Sequence, residues 1–196
     1  MAMVSVSLHT NAATVAGDYV GGGSFFMFPN AIGWVFTADA DLQVSQLGIY
    51  DVEADGLVSS HSIGIFDELT GAVVASASID AGDSGEFVAG TVGGSRLVDI
   101  DPVMLEAGKT YYILGDNFAD ERYAFGQAAV LFAEGLSWVG VAEGESNDIF
   151  STMSVLAFGE PGNLGPTFSF SVVPVPPAIW LFATALGALG VFKRGR

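Results

Sequence analysis

The chain of 196 residues contains no cysteine and only six lysine and arginine residues. Without cysteine it can form no disulfide framework, no thiolate nucleophile and no cysteine-ligated zinc site. The six basic residues stand against 22 acidic ones, and the resulting net charge of −16 excludes nucleic acid as a partner, because the phosphates would be repelled. Charged residues make up 14% of the chain and hydrophobic residues 51%, so the chain is too apolar to be disordered.

The few basic residues are unevenly distributed. Lys193, Arg194 and Arg196 lie in the last four positions, whereas every acidic residue lies between Asp18 and Glu160. The middle of the chain, residues 13–172, therefore carries three basic and 22 acidic side chains, a formal net charge of −19. We expect this segment to be one domain with a substantial core, highly soluble once it is separated from the two ends.

The first twelve residues resemble the end of a secretory signal peptide. Thr10 and Ala12 are small residues with the spacing that signal peptidase accepts, which predicts cleavage after Ala12 and a signal remnant over residues 1–12. A basic n-region and most of an apolar core are missing, so we expect a start further upstream or a numbering that begins inside the signal. The alternative is an N-terminal strand with alternating Val4, Val6 and Leu8.

The C-terminal end is apolar and stops at basic residues. Residues 178–192 contain no charged side chain, and Lys193, Arg194 and Arg196 follow. As a helix this run would reach about 22 Å, short of the roughly 30 Å hydrocarbon core of a bilayer, so flanking residues would have to complete a transmembrane helix. The basic stop would lie in the cytoplasm and the acidic segment outside. A buried core helix is the alternative.

A proline-rich segment precedes the apolar run. Pro174, Pro176 and Pro177 favour a stiff, extended chain between Val173 and the apolar residues. In the order proline motif, apolar segment and basic cluster, residues 173–196 resemble a PEP-CTERM sorting tail, with Val175 where the name-giving motif has glutamate. The resemblance implies a sorting motif made of Val173 and these three prolines, and cleavage at or near it by an exosortase in the membrane. It also implies delivery to the cell surface or the extracellular matrix.

The segment between the two ends reads as short strands separated by turns. Alternating apolar and polar residues predict strands at 32–37, 47–50, 62–66, 73–79, 96–100, 110–114, 128–132, 136–141 and 168–172. Residues 67–71 are predicted to close a hairpin. The short strands and the 26 glycines predict an all-β, jelly-roll-like two-sheet sandwich over residues 13–172, followed by a single C-terminal transmembrane helix.

Several short blocks of this segment resemble a β-sandwich family that often carries PEP-CTERM tails. The blocks are Gly-Trp-Val-Phe at 33–36, Leu-Gly-Ile-Tyr-Asp at 47–51, Asp-Gly-Leu at 55–57, Ser-His-Ser-Ile-Gly-Ile-Phe-Asp at 60–67 and Leu-Glu-Ala-Gly-Lys-Thr-Tyr at 105–111. The family has no agreed function. The resemblance therefore implies a sandwich fold and an exported setting but no activity.

Three carboxylates are spaced two residues apart before a glycine. They are Asp51, Glu53 and Asp55, followed by Gly56. A turning loop with this spacing can direct oxygen ligands at one Ca²⁺. An EF-hand is excluded, because Ser62 stands where such a loop needs a bidentate glutamate. The two interpretations that remain are a looser structural calcium site, the only cofactor that the sequence suggests, and a solvated acidic loop.

Two further motifs are interpreted as structural. His61 shares the parity of Ile63 and Ile65 on a predicted strand, and no cysteine or second histidine completes a ligand set, so we expect a partly buried structural histidine whose ring nitrogens have hydrogen-bond partners. The segment Gly-Asp-Ser-Gly at 82–85 is similar to a serine protease nucleophile segment, but Glu86 follows it where that family requires glycine. We interpret this match as chance.

Catalysis and sugar binding are the remaining alternatives. The carboxylate pairs Asp99 with Asp101 and Asp116 with Asp120 would suit a glycan hydrolase only if they faced one cleft. Six aromatic residues are able to stack on sugar rings where they are exposed: Trp34, Tyr50, Tyr111, Tyr112, Tyr123 and Trp138. The sequence favours a non-enzymatic surface or matrix protein first, a carbohydrate-binding module for exopolysaccharide second and a hydrolase last.

Overall fold

A computed structural model describes residues 13–21, 24–125, 130–151, 153–156 and 163–174 of the chain. These residues form strands and turns and contain no helix. The strands in chain order are β1 (Thr14–Val15), β2 (Gly17–Tyr19), β3 (Ser24–Phe26), β4 (Ile32–Ala38), β5 (Leu42–Asp51), β6 (His61–Asp67), β7 (Val73–Ile79), β8 (Glu86–Ala89), β9 (Gly94–Leu105), β10 (Thr110–Gly115), β11 (Tyr123–Phe125), β12 (Val130–Phe132), β13 (Leu136–Gly144), β14 (Met153–Leu156) and β15 (Pro166–Val172).

Most of these strands belong to two antiparallel sheets. One sheet has five strands in the order β1-β15-β5-β9-β8, and the other has six in the order β14-β13-β4-β10-β6-β7. Two short pairs, β11 with β3 and β12 with β2, complete the set. The main core contains residues from both large sheets, so the sheets pack face to face. The predicted all-β, two-sheet sandwich is confirmed.

The core is centred on the indole of Trp34 in β4. This side chain is fully buried, and its ring stacks on Phe168 of the opposite sheet with a centroid distance of 5.7 Å. Its Nε1 donates a hydrogen bond of 2.9 Å to the carbonyl oxygen of Pro166, so the one polar atom of the ring is satisfied. Apolar residues of one parity on each strand therefore meet in one layer between the sheets.

The longer strands coincide with the predicted ones. β5 and β9 are longer than expected, because each continues past a bulge that shifts their register between Val44 and Gln46. The predicted strand at 128–132 corresponds to β12, and residues 128 and 129 lie outside the described residues. The short strands β1, β2, β3, β8, β11 and β14 were not predicted, since segments of two to four residues show too little alternation.

The predicted hairpin between β6 and β7 is confirmed. Gly71 has a φ of 68°, and its N–H donates to the carbonyl oxygen of Asp67 over 2.8 Å. The carboxylate of Asp67 accepts hydrogen bonds from the hydroxyl and the N–H of Thr70, which lower the pKa of that carboxyl. Asp67, Thr70 and Gly71 thus provide the hydrogen bonds and the positive φ that this turn requires.

The first and last described strands are neighbours. β1 pairs with β15, with Thr14 opposite Phe170 and Val15 opposite Ser169. Beyond β15, the N–H of Val173 donates to the carbonyl oxygen of Asp41 over 2.8 Å. The chain therefore enters and leaves the sandwich at the same edge of the five-stranded sheet.

Candidate functional site

The first residues of the predicted sorting motif directly follow the last described strand. Val173 and Pro174 directly follow β15 and are the last described residues. Among the described residues no helix is long and apolar enough to cross a membrane. The remaining residues of the predicted motif and stop lie outside the described residues: Pro176, Pro177, Lys193, Arg194 and Arg196.

The acidic loop after β5 contains a buried ion pair. Asp51 is 1% exposed, and its Oδ2 accepts hydrogen bonds from the Arg96 Nε at 2.7 Å and from the Gly56 N–H at 3.0 Å. Arg96 also binds the exposed carboxylate of Asp83 at 2.8 Å, and its guanidinium lies 5.1 Å from the centre of the Phe87 ring. Arg96 therefore joins the loops at 52–60 and 80–85.

The other two carboxylates of the predicted calcium set point elsewhere. Glu53 binds Arg122 over 2.7 Å at the surface, and Asp55 is exposed. The described residues contain no group of three or more histidine, cysteine, aspartate or glutamate side chains that could hold a metal ion. Two of the three carboxylates thus bind arginine, and this arrangement does not favour the calcium hypothesis, which stays a prediction.

His61 is more deeply buried than predicted, and its Nε2 has no hydrogen-bond partner among the described residues, where one was expected. Its side chain is 1% exposed and packs against Phe118, with the ring centres 5.0 Å apart. Its Nδ1 lies 2.6 Å from the carbonyl oxygen of Asp116, and its Nε2 lies 3.8 Å from the carboxylate of the buried Glu121. Glu121 also accepts the N–H of Val58 over 2.6 Å. The histidine therefore helps to hold the loop at 116–122 against β6 and the loop at 52–60.

The residues of the protease-like segment have structural partners. Asp83 binds Arg96, and the Ser84 hydroxyl donates to the carbonyl oxygen of Ala81 over 3.2 Å. His61 instead faces Asp116 and Glu121. The contacts of the serine and of the histidine thus involve different groups, in agreement with a chance match.

One member of each predicted carboxylate pair, Asp99 or Asp116, accepts a hydrogen bond. The Gln46 amide donates to both Asp99 and Glu86 over 3.0 Å, and its oxygen accepts from the Ser169 hydroxyl over 2.8 Å. These side chains form a polar row across the outer face of the five-stranded sheet, beside a shallow groove of about 360 Å³. Asp116 accepts the N–H of Ser62 over 2.6 Å. Hydrogen bonds within the protein thus hold Asp99 in the polar row and Asp116 against β6.

Most of the aromatic residues that could have bound sugars are in the interior. Five of the six are buried, namely Trp34, Tyr50, Tyr111, Tyr112 and Tyr123, and Trp138 is partly buried. Tyr50 joins β5 to Asp18 and to the loop at 90–93 through its hydroxyl. Tyr50 and Tyr112 lie on the sides of their sheets opposite the main core, because each follows a core residue of its strand, Ile49 and Tyr111. Tyr50 packs there with Tyr19 and Val52, whereas Tyr112 packs with Phe66 and Ile149.

Tyr112 lines an aromatic cleft on the outer face of the six-stranded sheet. Its ring stacks on Phe66 with centroids 4.9 Å apart and an angle of 8° between the rings, and Phe150 meets Phe66 edge-on at 5.9 Å. The cleft has a volume of about 410 Å³, and Val73 and Ile149 complete its apolar lining. Phe150 is 59% exposed, whereas Phe66 and Tyr112 are buried. One ring is therefore presented to solvent on a fixed aromatic base.

The cleft also has a polar side. Burial raises the pKa of Tyr112, and the nearby Glu68 carboxylate raises it further. The tyrosine hydroxyl thus stays protonated at neutral pH and can donate a hydrogen bond, while Glu68 can accept one. Sequence analysis did not predict Phe150 or Glu68 as site residues. One feature of the sequence could have indicated the cleft: β6 and β10 have apolar residues on both faces, which indicates that the outer face of their sheet is also covered.

Comparisons with known proteins give only distant matches. No family model matches the chain, and no curated protein matches it. A structure of the infectious bursal disease virus Gt strain has 11% identity over 90% of this chain, with a TM-score of 0.26. The crystal structure of the infectious bursal disease virus VP2 subviral particle has 10% identity over 90% of this chain, with a TM-score of 0.25. The chain spans about half the length of these proteins, 47% in both cases.

Proposed function

We propose that the chain is the precursor of an exported, non-enzymatic protein of the cell surface or extracellular matrix, sorted by its C-terminal tail. The observation that carries this proposal is the order of features in residues 173–196: a proline motif, an uncharged apolar run and a basic stop. Each feature has a separate physical role, namely a stiff recognition segment, insertion into the lipid bilayer and retention of the C-terminus in the cytoplasm. An exosortase is the partner that this tail implies.

The position of the tail relative to the fold supports removal of both ends. β15 ends at Val172, and β1 begins at Thr14, so cleavage after Ala12 and near the prolines would leave every described strand of the sandwich intact. The released domain would keep all 22 acidic residues and three basic ones. A domain of this charge stays hydrated and repels its own copies, which suits a secreted or surface-displayed protein.

A non-enzymatic role agrees with the use of the buried carboxylates. Asp51 binds Arg96 and the backbone of its own loop, and Glu121 binds the N–H of Val58. Both groups therefore hold loops together, whereas catalytic carboxylates face a substrate cleft. We also propose a jelly-roll arrangement, because the chain alternates between the two sheets at β4, β5, β6, β9 and β10.

Fractionation of cells tests the sorting proposal. A chain that lacks residues 173–196 is compared with the complete chain, and we expect the truncated protein in the secreted or periplasmic fraction and the complete protein at the membrane and surface. A variant with alanine at Pro174, Pro176 and Pro177 retains the apolar run and should accumulate as an uncleaved membrane form. Unchanged localisation and processing in both variants would show that the tail is no sorting signal.

A further inference from the structure

We propose that the aromatic cleft formed by Phe66, Tyr112 and Phe150 binds a glycan chain that carries no acidic groups. This inference rests on the proposed surface or matrix function, because an exported domain at the cell surface meets polysaccharide. It adds a binding site and the chemical class of its ligand, neither of which the tail specifies.

The exposed ring of Phe150 is the first argument for a sugar ligand. Its side chain is 59% exposed, yet it is held edge-on against Phe66, 5.9 Å away between ring centres. Below it, Phe66 and Tyr112 are stacked and buried, so the ring stands on a rigid base. A sugar ring has an apolar face of C–H groups that matches an aromatic face, and a fixed ring loses little entropy on binding.

The polar groups beside the ring are the second argument. A sugar presents hydroxyl groups around its edge, which need both donors and acceptors. Tyr112 lines the cleft, and a tyrosine hydroxyl can both donate and accept a hydrogen bond. Ser151 also lines the cleft. An apolar floor with a few polar groups at its margin is the usual composition of a small-ligand site.

The size of the cleft suits part of a chain. Its volume is about 410 Å³. Gly71 and Val73 of that hairpin form one wall, and the loop that carries Ile149 and Phe150 forms the other. A groove between two walls accommodates a few consecutive sugar units and leaves the remainder of a polymer in solvent.

The charge of the domain decides which glycans fit. Residues 13–172, which include the cleft, carry a formal charge of −19. Polysaccharides with carboxylate or sulfate groups are repelled by this field, whereas neutral sugars are not. An amino sugar gains attraction from the same negative field, because its ammonium group is a cation.

Binding of purified full-length protein to defined oligosaccharides tests this inference. The protein is solubilised in a detergent without a sugar headgroup, and calorimetry is performed with cellohexaose, a chitosan hexamer and an oligogalacturonate hexamer. We expect binding of the first two, with the oligogalacturonate weaker by at least about tenfold at low salt and a smaller difference at high salt. Absence of binding to both non-acidic glycans, or a preference for the acidic one, would overturn the inference.

Matched variants locate the site. Phe150→Ala should weaken glycan binding by at least about tenfold, which corresponds to the loss of one stacked ring. Leu131→Ala is the control, because Leu131 on β12 is also exposed, at 58%, and lies outside the cleft lining. Equal losses of glycan affinity in the two variants would contradict binding at the cleft. The same holds if the protein self-associates and only Phe150→Ala abolishes that association. Neither variant touches the tail, so normal surface delivery without binding refutes only this inference, whereas wrong delivery refutes the sorting proposal.

Discussion

Replacement of Arg96 by methionine removes the cation that neutralises Asp51 in the interior. The Asp51 carboxylate and the Arg96 guanidinium are 2.7 Å apart, and their side chains are 2% and 6% exposed. Methionine keeps much of the apolar stem of arginine but leaves a buried negative charge with one remaining donor, the N–H of Gly56. The variant therefore measures the cost of an uncompensated charge rather than the loss of packing.

The expected magnitude follows from the burial. Loss of one partner of a buried ion pair costs about 3–5 kcal/mol. The remaining hydrogen bond from Gly56 reduces this cost, and loss of the contact with the Phe87 ring adds about 0.5–1 kcal/mol. We expect Arg96→Met to lower the free energy of unfolding by about 4 kcal/mol, which for a domain of this size lowers the melting temperature by about 10 °C.

Arg122 provides the matched control. It binds Glu53 at the same distance of 2.7 Å, but both side chains are about half exposed, at 51% and 53%. Exposed pairs contribute about 0–1 kcal/mol, so Arg122→Met should change the stability by no more than that. Denaturant unfolding followed by the fluorescence of the buried Trp34 measures both variants. Adding Asp51→Asn to Arg96→Met removes the buried charge and should recover most of the loss.

The result that would refute this reasoning is a similar loss in the two single variants. A loss below about 1 kcal/mol for Arg96→Met would mean that Asp51 is solvated or neutral without its arginine. Failure of Asp51→Asn to recover stability would mean that the arginine acts mainly through packing and through its contact with Asp83.

Three further predictions follow from particular contacts. Gly33→Ala should lower the free energy of unfolding by at least about 3 kcal/mol, because the new Cβ would lie 1.7 Å from the carbonyl oxygen of Ile113. Gly108 has open space around it but a φ of +77°, so Gly108→Ala should lower it by only about 1–2 kcal/mol, and denaturant unfolding measures both variants. Burial raises the pKa of the Tyr123 hydroxyl to about 12, above the value of about 10 for an exposed tyrosine. The protonated side chain therefore contributes fully to the free energy of unfolding below about pH 10, and this contribution is lost as the pH rises through 12. Unfolding midpoints that stay constant from about pH 10 to about 12 would contradict this prediction. Thermal melts with calcium and with EDTA should have equal midpoints, since two carboxylates of the loop after β5 bind arginine, and a higher midpoint with calcium would support a metal site.

The strands were predictable because their signal is local. Alternation over five or more residues specifies which side chains face the core, and this identified β4, β6, β7, β10, β13 and β15. The hairpin after Asp67 was equally predictable, since its aspartate, threonine and glycine provide the turn contacts within one short segment. Both predictions depend on neighbours in sequence and not on the arrangement of the sheets.

The partners of the polar side chains were not predictable in the same way. Asp51, Glu53 and Asp55 are regularly spaced, which suggested a common ligand, but Asp51 binds an arginine 45 residues away and Glu53 one 69 residues away. Such pairs exist only after the sheets bring distant loops to one end of the sandwich. Local spacing therefore identified the loop but not the partners of its carboxylates, and calcium binding there stays a prediction.

The aromatic cleft shows how function can depend on what an outer face leaves uncovered. Tyr112 and Phe66 lie on the side of the sheet opposite the main core, where the loop that carries Ile149 covers them in part. An outer face fully open to water would select polar residues, and a fully covered one would offer no surface to a ligand. Because the Phe150 ring is largely exposed on this base, a ligand that stacks on it would extend a cluster already packed in the free protein, and little reorganisation would oppose its binding.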